Sequence, residues 1–220
     1  AASISLLTGT IVQVQAAYTA NTAGTITGLA DRAVKISDSS VTATDLNNLN
    51  SATTGSIDAS SVTSISGLGS DLVGIYSASG EISGLGTENV SITDTGTLAS
   101  STVTSIDAYT TGTVTLSGAG SLTLSSTAGQ TVDLSGVTNS LSGTLTINDS
   151  TGDEIIIGTS GNDIINISSG SDTVNAGNGA DTINIAIDNL DNADSINGGS
   201  GTDTLNLTSS GTLTSTDVTN

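Results

Sequence analysis

The 220-residue chain reads as an all-β protein, a parallel β-solenoid (β-helix) that continues into a C-terminal β-roll. Three observations predict this class. A nonapeptide repeats between Gly158 and Asn206, with an aspartate at a fixed step and an aliphatic residue two positions later. Short β-branched runs bounded by Gly, Ser, Asn and Asp recur along the chain. Aromatic residues are nearly absent, with three Tyr and no Phe or Trp, so a compact core of ordinary shape lacks much of its usual buried area. Stacked rungs need only a few aliphatics each.

Residues 1–112 are expected to form irregular Ser/Thr/Gly-rich solenoid repeats, duplicated at a step of about 56 residues. Gly24, Ile26, Gly28, Leu29, Val34, Ile36 and Asp38 recur as Gly80, Ile82, Gly84, Leu85, Val90, Ile92 and Asp94. Slipped by one residue, Thr53-Thr54-Gly55 pairs with Thr110-Thr111-Gly112. The runs VKIS, GSID, VTSIS, VSIT and VTSID read as strands of three to five residues. TDLNNLNS (44–51) and SDLVGIYS (70–77) read as single helical turns, because Ser or Thr precedes Asp-Leu in each. From residue 113 the rhythm tightens: 113–148 is expected to form regular solenoid rungs and 149–220 a β-roll with a C-terminal tail. The alternative is two separate domains meeting near residue 113. The absence of Pro suits interior strands that must all donate their N–H groups.

Net charge is −19, from 21 acids against Arg32 and Lys35. Such a surface repels phosphates and anionic lipid, which argues against nucleic-acid partners and membrane insertion. No apolar run approaches the length of a membrane span. Without Cys there is neither a disulfide framework nor a thiolate metal site. The start, AASISLLTGT, lacks an initiator Met and a basic leader, and is read as belonging to a fragment or processed piece of a longer chain.

The nonapeptides are GTSGNDIIN (158–166), ISSGSDTVN (167–175), AGNGADTIN (176–184) and, after an insertion, DSIN (194–197) and GGSGTDTLN (198–206). The first six positions turn the chain and the sixth carries the acid: Asp163, Asp172, Asp181, Asp194 and Asp203. Position eight points inward (Ile165, Val174, Ile183, Ile196, Leu205), and positions seven and nine point outward, giving an Asn row. Two repeats make one rung of about 18 residues, with rungs stacked at about 4.8 Å. Asp163 should therefore meet Asp181, Asp172 should meet Glu154 and Asp194, and Asp181 should meet Asp203. Two carboxylates about 5 Å apart repel by roughly 3 kcal/mol at an effective dielectric near 20. A divalent cation reverses that sign. With only carboxylate and carbonyl oxygens available and no His or Cys, the expected ion is hard, and irregular turns favour Ca2+ over Mg2+.

GTSGNDIIN, AGNGADTIN and GGSGTDTLN resemble the glycine-rich nonapeptides of the RTX (repeats-in-toxin) calcium-binding family, over about a fifth of the chain. The resemblance implies a calcium-binding β-roll in which aspartates and turn carbonyls of stacked loops enclose each ion. Carried over, the ligands are Asp163, Asp172, Asp181 and Asp203, with carbonyls of Gly158, Ser160, Gly177, Gly179, Gly199 and Gly201. Asp194 continues the series, although AIDNLDNA (186–193) replaces the glycines before it. In that insertion Asp188 and Asp191 either supply ligands or are solvated. Glu154 occupies the acid position of a degenerate repeat, one methylene longer than Asp. The resemblance also implies type I secretion and folding outside a Gram-negative cell, where calcium is abundant. Separately, TATDLNNLNSATTGSIDASSVTSISG (42–67) resembles repeat arrays of large surface proteins of cyanobacteria and other marine bacteria.

Against these sharp readings stand plain ones. Asp38, Asp58, Asp94 and Asp107 are read as solvated turn residues. Tyr18, Tyr76 and Tyr109 are read as core or cap residues rather than a sugar platform. Ser and Thr abound, but a nucleophile needs an adjacent base, and the chain has no His and one Lys, so no enzyme is expected. The leading expectation is a secreted, calcium-stabilised structural protein of a surface layer, adhesin or filament, whose partners are calcium ions, its own copies or cell-surface glycans. Two alternatives stand beside it: an ice- or carbohydrate-binding solenoid using the outward Thr and Asn rows, and the calcium module of a larger secreted enzyme or toxin.

Overall fold

The computed structural model describes residues 4–212. It shows an α/β protein, and four helices in the first half overturn the all-β expectation. The chain divides into two compact units. One runs to Ile92 and takes in Ala108–Val114, and the other comprises Thr93–Asp107 and the chain from Thr115 onward.

In the first unit strands and helices alternate. The first elements are β1 (Leu6–Gly9), α1 (Ile11–Thr22), β2 (Ala33–Ile36), β3 (Ser40–Thr42), α2 (Ala43–Ala52) and β4 (Ile57–Asp58). β5 (Ser64–Gly67), α3 (Gly69–Ser77), β6 (Ile82–Ser83) and β7 (Asn89–Ile92) follow. One parallel sheet has the order β1-β2-β4-β6, and β5 pairs in parallel with β3 and with β7. The 56-residue duplication therefore does not keep its sheet: β2 and its copy β7 lie in different ones. What the copies share is a local clamp. Thr53 Oγ1 donates to the Arg32 carbonyl at 3.3 Å and accepts from the Gly55 N–H at 3.0 Å. Thr110 Oγ1 donates to the Glu88 carbonyl at 2.7 Å and accepts from the Gly112 N–H at 3.0 Å.

In α1 and α2 a capping side chain coincides with an apolar step of three or four residues. Thr10 and Gln13 make a capping box, and Ile11, Val14 and Tyr18 bury one face of α1. Thr42 caps α2, which buries Ala43, Leu46 and Leu49 and packs against α1 and α3. TDLNNLNS and SDLVGIYS are thus not single turns but the bodies of helices of 10 and 9 residues. The run VTSID, expected as a strand, lies in α4 (Ser100–Tyr109), where Ser100, Val103 and Ile106 are buried at helical spacing. Tertiary burial of that stripe outweighs the β preference of Val, Ile and Thr. Tyr18 and Tyr76 are buried, and Tyr109, half exposed, stacks on Tyr76 with ring centroids 5.1 Å apart. Two acids read as solvated have partners: Asp38 accepts from the Ile11 N–H at 2.7 Å, and Asp58 pairs with Lys35, which holds its carboxyl well below the usual range.

The second unit is parallel strand on parallel strand. β8 (Gly96–Ala99) precedes α4, and β9 (Val114–Leu116), β10 (Leu122–Ser125), β11 (Thr131–Asp133), β12 (Val137–Asn139) and β13 (Leu145–Asn148) follow it. Then come β14 (Ile155–Ile157), β15 (Asp163–Ile167), β16 (Thr173–Asn175), β17 (Thr182–Ile185), β18 (Ser195–Asn197) and β19 (Thr204–Leu207). One sheet runs β8-β10-β13-β15-β17-β19 and the other β11-β14-β16-β18, so from β13 the chain crosses between them at every nonapeptide. The nine-residue aliphatic step is the reason. Ile147, Ile156, Ile165, Val174 and Ile183 are all buried, on alternate sheets. The pattern gives out at the end. Leu205, expected inward, is 49% exposed on β19, the last strand of its sheet among the described residues.

Candidate metal centre

The crossings between the two sheets are the acid-bearing turns, and they form two columns. In one, Glu154, Asp172 and Asp194 end successive turns into β14, β16 and β18. In the other, Asp163, Asp181 and Asp203 lie where turns enter β15, β17 and β19. Parallel register stacks each acid on the next of its column, and the main chain ties them together. The Glu154 N–H donates to Asp172 Oδ1 at 2.9 Å, and the Asp172 N–H to Asp194 Oδ1 at 3.0 Å. The Asp163 N–H donates to Asp181 Oδ1 at 2.8 Å, and the Asp181 N–H to Asp203 Oδ1 at 3.1 Å. These are the pairs expected from the 18-residue rung and its insertion.

One oxygen of Asp172, Asp194, Asp181 and Asp203 is thus occupied, and the oxygens left over decide the chemistry. Glu154, Asp172 and Asp181 are each 1% exposed, and Glu154 Oε2, Asp172 Oδ2 and Asp181 Oδ2 receive no hydrogen bond. A buried anionic oxygen without a donor is costly, and a cation or a proton offsets that cost. Burial pushes Asp172 and Asp181 above the usual carboxylate range, and the neighbouring charges of Glu154 and Asp194, or of Asp203, push the same way. The columns offer oxygen donors only, a set that fits calcium.

Asp163 differs. It is buried, but the Thr159 N–H donates to its Oδ2 at 2.7 Å and Thr159 Oγ1 donates to both oxygens at 3.1 and 3.0 Å. Burial still pushes its pKa to about 6, with Asp181 adding repulsion and Thr159 opposing. Its carboxylate is therefore met by protein donors, unlike that of Asp181. Asp194 Oδ2 accepts from the Asp191 N–H at 3.0 Å, so the insertion satisfies that acid as well. Asp188 and Asp191 are exposed, and Asp191 Oδ1 accepts from the Ala193 N–H.

Turn glycines hold the columns at close spacing. Gly179 and Gly201 adopt φ of 132° and 140°, and a Cβ on Gly201 would lie 1.6 Å from the Gly179 carbonyl oxygen. Gly177 and Gly199 are stacked likewise, and the Gly177 carbonyl accepts from the Ser200 N–H at 2.8 Å. Gly158 lies under the Ala176 carbonyl, and Ser160 lines a groove of about 350 Å³ with Asn175, Asn178 and Asn197.

Sequence reasoning missed Asp149. It follows β13 and lies outside the acid step, yet carboxylate oxygens of Asp149, Glu154 and Asp172 all fall within 4.8 Å of one another. Burial, opposed by the Ser168 N–H and reinforced by Glu154 and Asp172, pushes Asp149 to about 7. The readable signal was its place as first residue of the degenerate repeat DSTGDEIII, where the other repeats open with Gly158, Ile167, Ala176 and Gly198 and never with an acid. On the outward face the position-nine residues form an amide ladder. Asn166 donates to Asn148 at 2.7 Å, Asn184 to Asn166 at 2.7 Å and Asn206 to Asn184 at 2.8 Å. Among the described residues no helix is long and apolar enough to cross a membrane.

Neither the curated proteins nor the solved structures contain a match to this chain. The family profile of the RTX calcium-binding nonapeptide repeat does match, in four copies, over the strands and turns just described. Residues 149–183 and 190–208 are RTX calcium-binding nonapeptide repeats.

Proposed function

We propose that this chain is a non-catalytic, calcium-stabilised structural module of a protein secreted to the bacterial cell surface, in a surface layer, adhesin or filament. The observation that supports it best is the buried, donorless oxygen on Glu154 and Asp172 in one column and on Asp181 in the other. A cation stabilises a fold that buries such groups, so metal binding free energy becomes folding free energy. Secretion suits that dependence, since RTX repeats are typical of secreted bacterial proteins and calcium is abundant outside cells. The chain has no His and no Cys, and its one Lys is paired with Asp58, so the sequence offers no His- or Cys-based catalytic group. The amide ladder engages its Asn side chains with one another, which favours a structural role for that row over ligand recognition. Far-ultraviolet circular dichroism tests the reading. The strand signal of residues 150–207 should be lost in excess EGTA and return with calcium, and a spectrum indifferent to EGTA would refute it.

A further inference from the structure

We infer that Asp149, Glu154 and Asp172 form a tricarboxylate calcium site of their own kind, at the N-terminal end of the stacked turns. The inference rests on the calcium reading above and adds to it a site whose ligands are side chains where the glycine turns offer main chain. Each carboxylate is anchored by protein donors; Glu154 and Asp172 each leave one oxygen free for an ion, while Asp149 Oδ1 has only a long contact from Ser126 Oγ at 3.4 Å. Glu154 Oε1 accepts from the Gly129 N–H and from Ser150 Oγ, both at 2.8 Å. Asp172 Oδ1 accepts from the Glu154 N–H, and Asp149 Oδ2 from the Ser168 N–H at 3.1 Å. Glu154 Oε2 and Asp172 Oδ2, in side chains 1% exposed, have no donor.

The chain has two basic residues, and Arg32 and Lys35 pair with Asp31 and Asp58 in the other unit. Three carboxylates with oxygens inside 4.8 Å repel one another, and an ion of charge two or more between them would reverse that repulsion. Glu154 stands where the other repeats carry aspartate, and Asp149 where they open with Gly, Ile or Ala. Because affinity for a hard cation rises with the number of charged ligands, this site should fill before the two-acid gaps between regular turns.

The test is calcium titration of the whole chain, with bound ions counted by native mass spectrometry. Asp149→Asn should bind one ion fewer and lose the tightest step, weakened about tenfold or more. In EGTA the same variant should melt above the wild type, because three crowded charges become two. Asp203→Asn, in the opposite column, should leave the tightest step intact. An Asn at 149 still accepts from Ser168, so a merely structural Asp149 predicts an unchanged ion count, and that result would overturn the site. Should Asp149→Asn not fold, Glu154→Gln must show the same loss of one ion, and its failure to do so is equally fatal. Wild-type chain that binds no calcium defeats the earlier reading, whereas wild-type binding matched by both variants defeats this one alone.

Discussion

Three buried carboxylate oxygens without donors, at Glu154, Asp172 and Asp181, set the energetic problem of the repeat region. Asp163 shows how the same position can be made self-sufficient: Thr159, a threonine at position two of its turn, supplies the missing donors. The acid step was plain in the sequence, but the role of Thr159 was not, because only the folded turn brings its hydroxyl back over position six. A pH dependence follows. The folded pKa of Asp163, about 6, lies above its unfolded value near 3.9, so its protonated form favours the fold. That contribution is complete below about pH 4 and is lost as pH rises through 6, a swing of about 3 kcal/mol for Asp163 alone. Calcium-free chain should thus melt higher at about pH 4.5 than at about pH 7.5, while calcium-loaded chain, whose ligands must be ionised, should show the reverse order. Equal melting of the calcium-free chain at both values would count against the buried-carboxylate argument.

At the level of elements, helices and turns depend on different residues. The stripes Ile11/Val14/Tyr18 and Ala43/Leu46/Leu49 make α1 and α2, and the signals T-x-x-Q at 10–13 and T-x-x-D at 42–45 announce them. Those signals were readable, yet short alternating runs in a Ser/Thr-rich background looked equally like strands. α4 was harder, since nothing local in VTSID contradicts a strand and only the burial of Ser100, Val103 and Ile106 on one face decides. The turns depend on glycine where rungs touch. Gly201→Ala places a Cβ against the Gly179 carbonyl at a φ of 140° and should cost about 3 kcal/mol or more in the calcium-loaded chain. Gly80→Ala meets nothing within 4 Å and should stay within about 0.5 kcal/mol. Thermal unfolding in saturating calcium measures both, and a neutral Gly201→Ala would mean that the turns do not stack this closely.

Across the whole molecule, the two units differ in what holds them. The first relies on helices packed over parallel strands, with Leu29, Ile36, Leu46, Ile57 and Ile75 fully buried, and its two ion pairs lie at the surface. Its one deeply buried acid, Glu88, is satisfied by the Tyr76 hydroxyl and the N–H groups of Gly86 and Thr87. Among its described residues no group of three acids gathers as Asp149, Glu154 and Asp172 do. Calcium removal should therefore act selectively: hydrogen exchange in EGTA should accelerate over residues 149–208 and leave the amides of β2, α2 and β5 protected. Uniform acceleration along the chain would show that calcium supports both units.

The sequence by itself determined the repeat region: a nine-residue step of glycine, aspartate and aliphatic residue dictates parallel strands, turn columns and which acids meet. It could do so because a strict short period leaves one register that buries Ile165, Val174 and Ile183 together. Only the tertiary structure decided the first half and the finer chemistry of the acids. There Val, Ile and Thr serve helix and strand alike, and the choice falls to which face finds a partner. Likewise Asp149 and Asp163 carry the same carboxylate, and what separates them is whether a folded neighbour, an acid or a threonine, lies within reach of its oxygens.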